Sequence, residues 1–460
     1  MNALTRFGLW LLKIFPVTTI EKAIHETIAV TQESFDLVVE WRKIYDGFAD
    51  WLKDGVINTG AAKIYCGEIA RNVTTKLETE IQGNDKQNEF YQAVVNSLRD
   101  VTEKVAAVGE ILLLPNVTYT SDGFKVFFTI APAGTYYPLQ YDVEGRLQSV
   151  TLVQREQMGK SYYTLITVAS YSDGRYSTES KVYKSSSEDN IGTPINIDKV
   201  DMWAHIEDWE YPASRPWFIE FTAPNGESCF ANSIDLIRMR DLAYARILTE
   251  LDDKRNVTIY DKDALDRDPF TGAPIVPQDR KFMVIDDPNW RGVKVESFRL
   301  EIDALYKHLD QTERLLEVSL GCSFGMFSEP PQVYTNVNTT QQGRQRFYVT
   351  VESYKHQLQL MLEQFAIVLD EICQAWGLPS GNDGISFDSP DSVLITEAEQ
   401  RDMFRNDWAI VLQAVRENII SREKAVAFLN EFSDFLHKLS PEMIEEAKEE
   451  LAAIQQNEYD

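Results

Sequence analysis

The chain has 460 residues and a hydrophobic fraction of 44%, enough for about three ordinary domains and too apolar for wholesale disorder. Its 45 Lys and Arg against 72 Asp and Glu leave a net charge of −27. That excess argues against tight electrostatic binding to a nucleic-acid backbone, which needs clustered cations, while allowing a low-friction surface past which a polyanion moves.

The N-terminal run FGLWLLKIFP is broken by Lys13 and ended by Pro16, with no small-residue cleavage site after it. It reads as an amphipathic helix covering a domain or a partner subunit, rather than a signal or membrane anchor. Residues 17–110 carry helical periodicity, punctuated by Gly47 and Gly55. Ile64, Ile69, Val73 and Leu77 are expected on one helical face, and Val94, Leu98, Val101 and Val105 on another. Gly109 is the expected helix stop.

From 111 to 222 the period changes to alternation, with turn signals at Ser-Asp-Gly 121–123, Glu144-Gly145 and Ser-Asp-Gly 172–174. An antiparallel sheet region is expected, with Trp203, Trp209 and Trp217 as core or interface anchors. A helix of about 22 residues follows Ser233, in which Ile234, Ile237, Leu242, Ala245, Leu248 and Leu251 are apolar. Then comes a β-rich excursion of about 40 residues (VTIY, a Pro- and Gly-rich turn, KFMVIDD, VKVES), so the flanking helices should run antiparallel as two legs of a stalk.

Residues 298–376 read as helix, polar loop, long helix. Phe298, Ile302, Leu305, Leu309 and Leu316 share one face of the first helix. Phe347, Val351, Tyr354, Leu358, Leu362, Phe365, Leu369, Ile372 and Trp376 share one face of the second. The loop between them holds Pro330 and Pro331, then Asn336, Asn338, Thr339 and Thr340, with no charge. GISFDSP reads as a strand, and the rest of the chain as helices that end in a solvated acidic one.

Chemistry-bearing motifs are missing. There is no phosphate-binding Gly-rich loop with Lys, no nucleophile elbow and no H-E-x-x-H. Cys66, Cys229, Cys322 and Cys373 form no C-x-x-C pair, and the five histidines form no ligand pair. Neither a disulfide framework nor a zinc site is expected, and a reducing compartment fits. Asp252/Asp253, Asp261/Asp263, Asp266/Asp268 and Asp286/Asp287 surround the excursion, which leaves a metal-dependent nuclease as the alternative reading. Their Pro- and Gly-rich surroundings favour turn hydrogen bonding instead. The expectation is a structural or conducting protein, with no enzymatic activity, cofactor or metal.

Several stretches, taken in order, resemble the portal proteins of tailed bacteriophages, of the branch typified by Listeria and Bacillus siphophages. They are EWRKIYDGFADW, AAKIYCGEIA, VAAVGEILLLP, YYPLQYDVEGRL and FDSPDSVLITEAEQRDMFRNDWAIVLQAVRENIISREKAV. No single motif is specific; the collinear set is. Many relatives open the long helix with a Thr-Ala-Thr-Glu-like run, whereas here Asn338-Thr339-Thr340-Gln341 stands there. The acid is missing, so its role is not transferred.

The resemblance implies an α+β portal-like fold. Residues 1–232 would be a wing (helical, then antiparallel β), 233–255 and 297–320 the two stem helices, and 256–296 a small β-rich clip. Residues 321–395 would return to the wing with a tunnel loop (328–342) and a long helix (343–376), and 396–460 would be crown helices. It implies a homo-oligomeric ring, commonly of twelve subunits, at one capsid vertex of the virion, assembled in the host cytoplasm. Such a ring works with terminase, a head-tail adaptor and the major capsid or scaffolding protein, and with no membrane. Double-stranded DNA would pass through without sequence specificity. The tunnel loop would present Gln332, Tyr334, Thr335, Asn336, Val337, Asn338, Thr339, Thr340, Gln341 and Gln342 to the channel. Arg344 and Arg346 just beyond it would contact phosphates, or else pair with acids on a neighbouring subunit. Asp266, Arg267, Asp268, Phe270 and Gly272 of the clip would meet terminase and then the adaptor.

Overall fold

The computed structural model describes residues 15–389 apart from 54, 121–122, 204–205, 207, 254–256, 262–281, 286–292, 297–301, 323–324 and 329–336. For 118–120, 123–125, 252–253, 257–261, 282–285, 293–296, 302 and 337–345 only the backbone is described. The chain divides into two units, Met1–Ser389 and Pro390–Asp460. The second, with the expected crown helices, lies outside the described residues, as does the N-terminal run up to residue 14.

The fold is α+β. Helices α1 (Val17–Ile24), α2 (Gln32–Asp46) and α3 (Ala61–Thr74) come first. The periodicity read through residues 21–48 is interrupted at His25, whose left-handed φ of 61° ends α1. The Thr31 side chain then accepts a hydrogen bond from the Ser34 amide and starts α2. In α3 the buried face is Ala61, Ala62, Tyr65, Cys66, Ile69, Ala70 and Val73. Ile64, expected with Ile69 and Val73, is instead 44% exposed. Two alanines and a cysteine, weak markers of a buried face, fill the helix contact in its place.

A short strand, β1 (Glu78–Ile81), leads to α4 (Asp85–Val95) and α5 (Leu98–Val108). Val94, Leu98, Val101 and Val105 are buried as expected, though on two helices that divide at Asn96–Ser97. Gly109 ends α5 with φ of 85°. A Cβ there would meet the Gly226 carbonyl at 2.7 Å, so both the backbone angle and a close approach demand glycine.

Strands β2 (Glu110–Thr120), β3 (Gly123–Pro132), β4 (Tyr136–Tyr141), β5 (Leu147–Met158), β6 (Ser161–Ser172), β7 (Arg175–Ser185), β8 (Thr193–Ile195), β9 (Trp209–Pro212) and β10 (Ile219–Thr222) follow. They form a three-stranded sheet ordered β10-β2-β3 and a six-stranded sheet ordered β4-β5-β6-β7-β8 with β9 also on β7. All these pairings are antiparallel. Asp173 and Gly174, with φ of 50° and 72°, close the β6–β7 hairpin in the left-handed region that such two-residue turns need.

The larger sheet is covered on both faces because its strands alternate. Ile166 and Tyr183 face Phe15, Val17, Ile20 and Phe35. Their sequence neighbours Leu165 and Val182 face Val200 and Trp203.

Helix α6 (Ile234–Asp253) leads into β11 (Val257–Asp261), β12 (Phe282–Ile285) and β13 (Val293–Glu296), and α7 (Ile302–Leu320) returns. These three strands form their own sheet, β11 pairing parallel with β12 and antiparallel with β13. Then come α8 (Val337–Ala375) and β14 (Ile385–Asp388), which pairs antiparallel with β1. Among the described residues no helix is long and apolar enough to cross a membrane.

Candidate functional site: a helical hairpin and the turn that ends it

Helices α6 and α7 run antiparallel. Their seam is apolar, with Ala243 and Ile247 on Leu309 and Leu305. Nearer the root, the Arg240 guanidinium donates to Glu313 at 2.9 Å, and both residues are buried. Burial pushes the Glu313 carboxyl up, while Arg240 and Tyr244 pull it back down. The same guanidinium lies over the Phe327 ring at 5.1 Å. At the root itself the hydroxyls of Ser233 and Ser319 are 2.7 Å apart. Asp241, also buried, accepts from the Trp51 indole at 2.9 Å, and from the Thr59 amide at 2.9 Å and hydroxyl at 2.6 Å. The hairpin is therefore tied to the first helical layer by polar groups that burial makes costly to leave unpaired.

Helix α7 ends in a motif that fixes the chain after it. Gly321 adopts φ of 70°. Its amide donates to Val318, and the Cys322 amide donates to the Glu317 carbonyl at 3.0 Å. The Glu317 side chain is fully buried. It accepts from the amides of Gly325 (3.0 Å), Phe327 (2.7 Å) and Ser328 (2.9 Å), and from the Ser328 hydroxyl (2.8 Å). A carboxylate beside the C-terminus of a helix is disfavoured by the helix dipole. Four donors from the following turn make it tolerable, and in return they fix that turn. One residue thus holds the chain from 325 to 328.

Beyond residues 329–336 the chain resumes in α8. At 1.5 Å per residue its 39 residues span about 58 Å. Eight of the nine residues expected on its inner face are buried, from Phe347 through Ile372. The ninth, Trp376, is half-buried in an aromatic cage with Trp209 at 5.0 Å, Tyr211 at 4.3 Å and Trp217 at 5.8 Å. Phe365 packs tilted against Phe128, with ring centroids 4.4 Å apart. Glu371 accepts from the Trp217 indole at 2.9 Å, and Asp370 from Gln87 at 2.7 Å. Of the three tryptophans expected as anchors, Trp203 and Trp217 are buried and Trp209 is in this cage.

The long helix starts at Val337, not at 343. Val337, Asn338, Thr339, Thr340, Gln341 and Gln342, expected in the loop, therefore lie in the first two turns of the helix. The last proline before it is Pro331, and no breaker stands between 337 and 342 to stop the helix extending backwards. Gln332, Tyr334, Thr335 and Asn336 lie outside the described residues. Arg344 is described by its backbone alone, within α8, and Arg346 two residues on is exposed. Asp266, Arg267, Asp268, Phe270 and Gly272 lie outside the described residues, as do the side chains of the acidic pairs of the alternative reading. Among the described residues no group of three or more His, Cys, Asp or Glu could hold a metal.

Two features went unseen in the sequence. One is the Glu317 clamp, whose signal is a glutamate four residues before a helix-ending glycine and a polar turn. The other is a carboxyl pair away from the hairpin. Glu110 of β2 and Glu220 of β10 sit diagonally across the ladder, since Glu110 registers with Thr222 and Glu220 with Leu112. Burial pushes Glu220 up to about 8, with the charge of Glu110 and its hydrogen bond adding to the shift. Burial raises Glu110 too. Two carboxyls this close favour sharing a proton.

A mixed α+β fold with a two-helix hairpin bearing a small sheet describes the class. No family model and no curated protein matches the chain. Among solved structures it is similar to the neck of a native GTA particle computed with C12 symmetry, at 11% identity and a TM-score of 0.42, over 84% of this chain and 93% of that one. At that level the likeness is loose and carries no functional weight.

Proposed function

We propose that the protein is a structural, non-catalytic subunit of a homo-oligomeric ring, commonly of twelve copies, at one vertex of a phage capsid. The ring conducts double-stranded DNA during packaging and ejection and docks terminase, a head-tail adaptor and the shell. The observation that carries this reading is the hairpin of α6 and α7. It is anchored at its root and bears a three-stranded sheet, and Met239, Leu242, Leu248, Leu251, Tyr306, Leu315 and Val318 on it are left 41–57% exposed. Apolar side chains on the outward sides of both legs fit neighbours on each side of a closed ring, where head-to-tail contacts bury them. The collinear sequence resemblance supports the same reading.

In this reading α6 and α7 are the stem and residues 256–296 the clip, with Asp266, Arg267, Asp268, Phe270 and Gly272 meeting terminase and then the adaptor. The uncharged residues from Gln332 to Gln342 face the channel, and Arg344 and Arg346 guide phosphates. Neutral amides and hydroxyls on an otherwise acidic wall neither bind nor trap a polyanion, so DNA slides. The test is the mass of the purified protein together with images of the particles. A ring with an axial channel is expected; a protein that stays monomeric under assembly conditions contradicts the reading.

A further inference from the structure

The first helical layer and the turn that opens α6 meet at two cysteines. Cys66 sits in the middle of α3 and is completely buried; Cys229 lies in the turn before α6 and is half-buried. Their sulfurs are 3.5 Å apart, in thiol-to-thiol contact, although 163 positions separate them in sequence. The turn is pinned beside the helices because the Cys229 amide donates to the Ala106 carbonyl at 2.9 Å. We propose that Cys66 and Cys229 form an oxidation site, closing a disulfide that locks α3 to the root of the α6–α7 hairpin. The inference stands apart from the ring reading, because it rests only on this contact within one chain.

A disulfide needs its sulfurs at about 2.05 Å, so closure asks for roughly 1.5 Å of approach, within reach of side-chain rotation and a small shift of the turn. Accessibility orders the steps. With a small-molecule disulfide as oxidant, the half-exposed Cys229 thiolate attacks one of its sulfurs and releases one small thiol. The Cys66 thiolate then displaces the second. Two cysteine protons end on the two released thiols, and the two electrons given up by the cysteines reduce the oxidant. Burial, with the contact to Cys229, pushes the Cys66 thiol well above its ordinary range. The second step is therefore the slow one and speeds up with pH. A link across so long a loop removes much freedom from the unfolded chain and raises the melting temperature.

The experiment treats the intact folded protein with oxidised glutathione at pH 7 and pH 9 and reads the mass, the linked peptides and the melting temperature. Expected are the loss of two hydrogens, a Cys66–Cys229 peptide, faster closure at pH 9, and a melting temperature several degrees higher that dithiothreitol reverses. Cys229→Ser, a small change in a turn, abolishes all four even if Cys66→Ser proves unable to fold. Free thiols at both positions in folded, treated protein overturn the proposal. So does a glutathione adduct that persists at Cys229, or a link joining other cysteines.

Discussion

The long helix α8 and the hairpin beside it treat their apolar residues differently. Among the described residues, α8 buries twelve hydrophobic side chains between Phe347 and Cys373 and leaves three large ones exposed, Val349, Leu360 and Ile367. Helices α6 and α7 together bury six and leave seven exposed. Buried groups on the hairpin are often polar instead: Arg240, Asp241, Thr312, Glu313 and Glu317. The long helix is completed by its own chain. Among the described residues the hairpin is covered only along its seam and at its root, and its remaining apolar side chains are exposed. Directional polar contacts anchor the hairpin while its outer apolar faces stay open, which is what the proposed ring would need of it.

Substitutions break this contrast in order of size. Leu362→Ala removes a fully buried side chain of α8 and should cost about 2–5 kcal/mol of chain stability, read by chemical denaturation. A loss below about 1 kcal/mol would mean that the long helix is not the finished support described above. Next comes Glu317→Leu, which leaves three amides and a hydroxyl of 325–328 without their acceptor. It should cost roughly 2–3 kcal/mol, and Glu317→Gln, which keeps one acceptor oxygen, should cost less. Equal losses for the two would argue against the clamp.

The carboxyl pair shows itself as a pH dependence of stability. Glu220 is raised from 4.5 to about 8 in the fold. It faces Glu110, Tyr136 and Tyr141, and a backbone contact at Leu147 works in the opposite direction. Between those two values the folded chain holds a proton that the unfolded chain has lost. Stability from this group is therefore full below about pH 4.5 and drains away as pH rises through 8. Glu220→Gln should flatten the fall in melting temperature between pH 5 and pH 9 relative to the unchanged protein. An identical slope in both would remove the shared proton.

The parts read most easily from sequence are those with strong periodicity. The inner face of α8, the antiparallel strands, the β6–β7 turn and the antiparallel legs of the hairpin were all visible as spacing. Short or composite features were not. Strand β1 has four residues and finds its partner, β14, about 300 positions later, a pairing no local pattern announces. Ile64 was misplaced because it stands five residues before Ile69, off the three- and four-residue steps that share a helical face, while the real contact is made by Ala61, Ala62 and Cys66. The long helix runs six residues further back than expected, since Asn and Thr suggest a loop by composition yet break nothing. Glu317 leaves a faint local signal in the glycine and polar turn after it, whereas the Cys66–Cys229 contact is set by tertiary placement and leaves almost none.

The central claim is that the open faces of the hairpin await further copies of this chain. Leu242→Asp, Leu248→Asp and Leu315→Asp each change an exposed site, so the folded monomer should lose less than about 0.5 kcal/mol apiece. The decisive measurement is the solution mass of the triple variant beside that of the unchanged protein under the same assembly conditions. A ring-sized mass for the unchanged protein and a folded monomer for the variant are predicted. A variant that still assembles to the same mass would contradict the account.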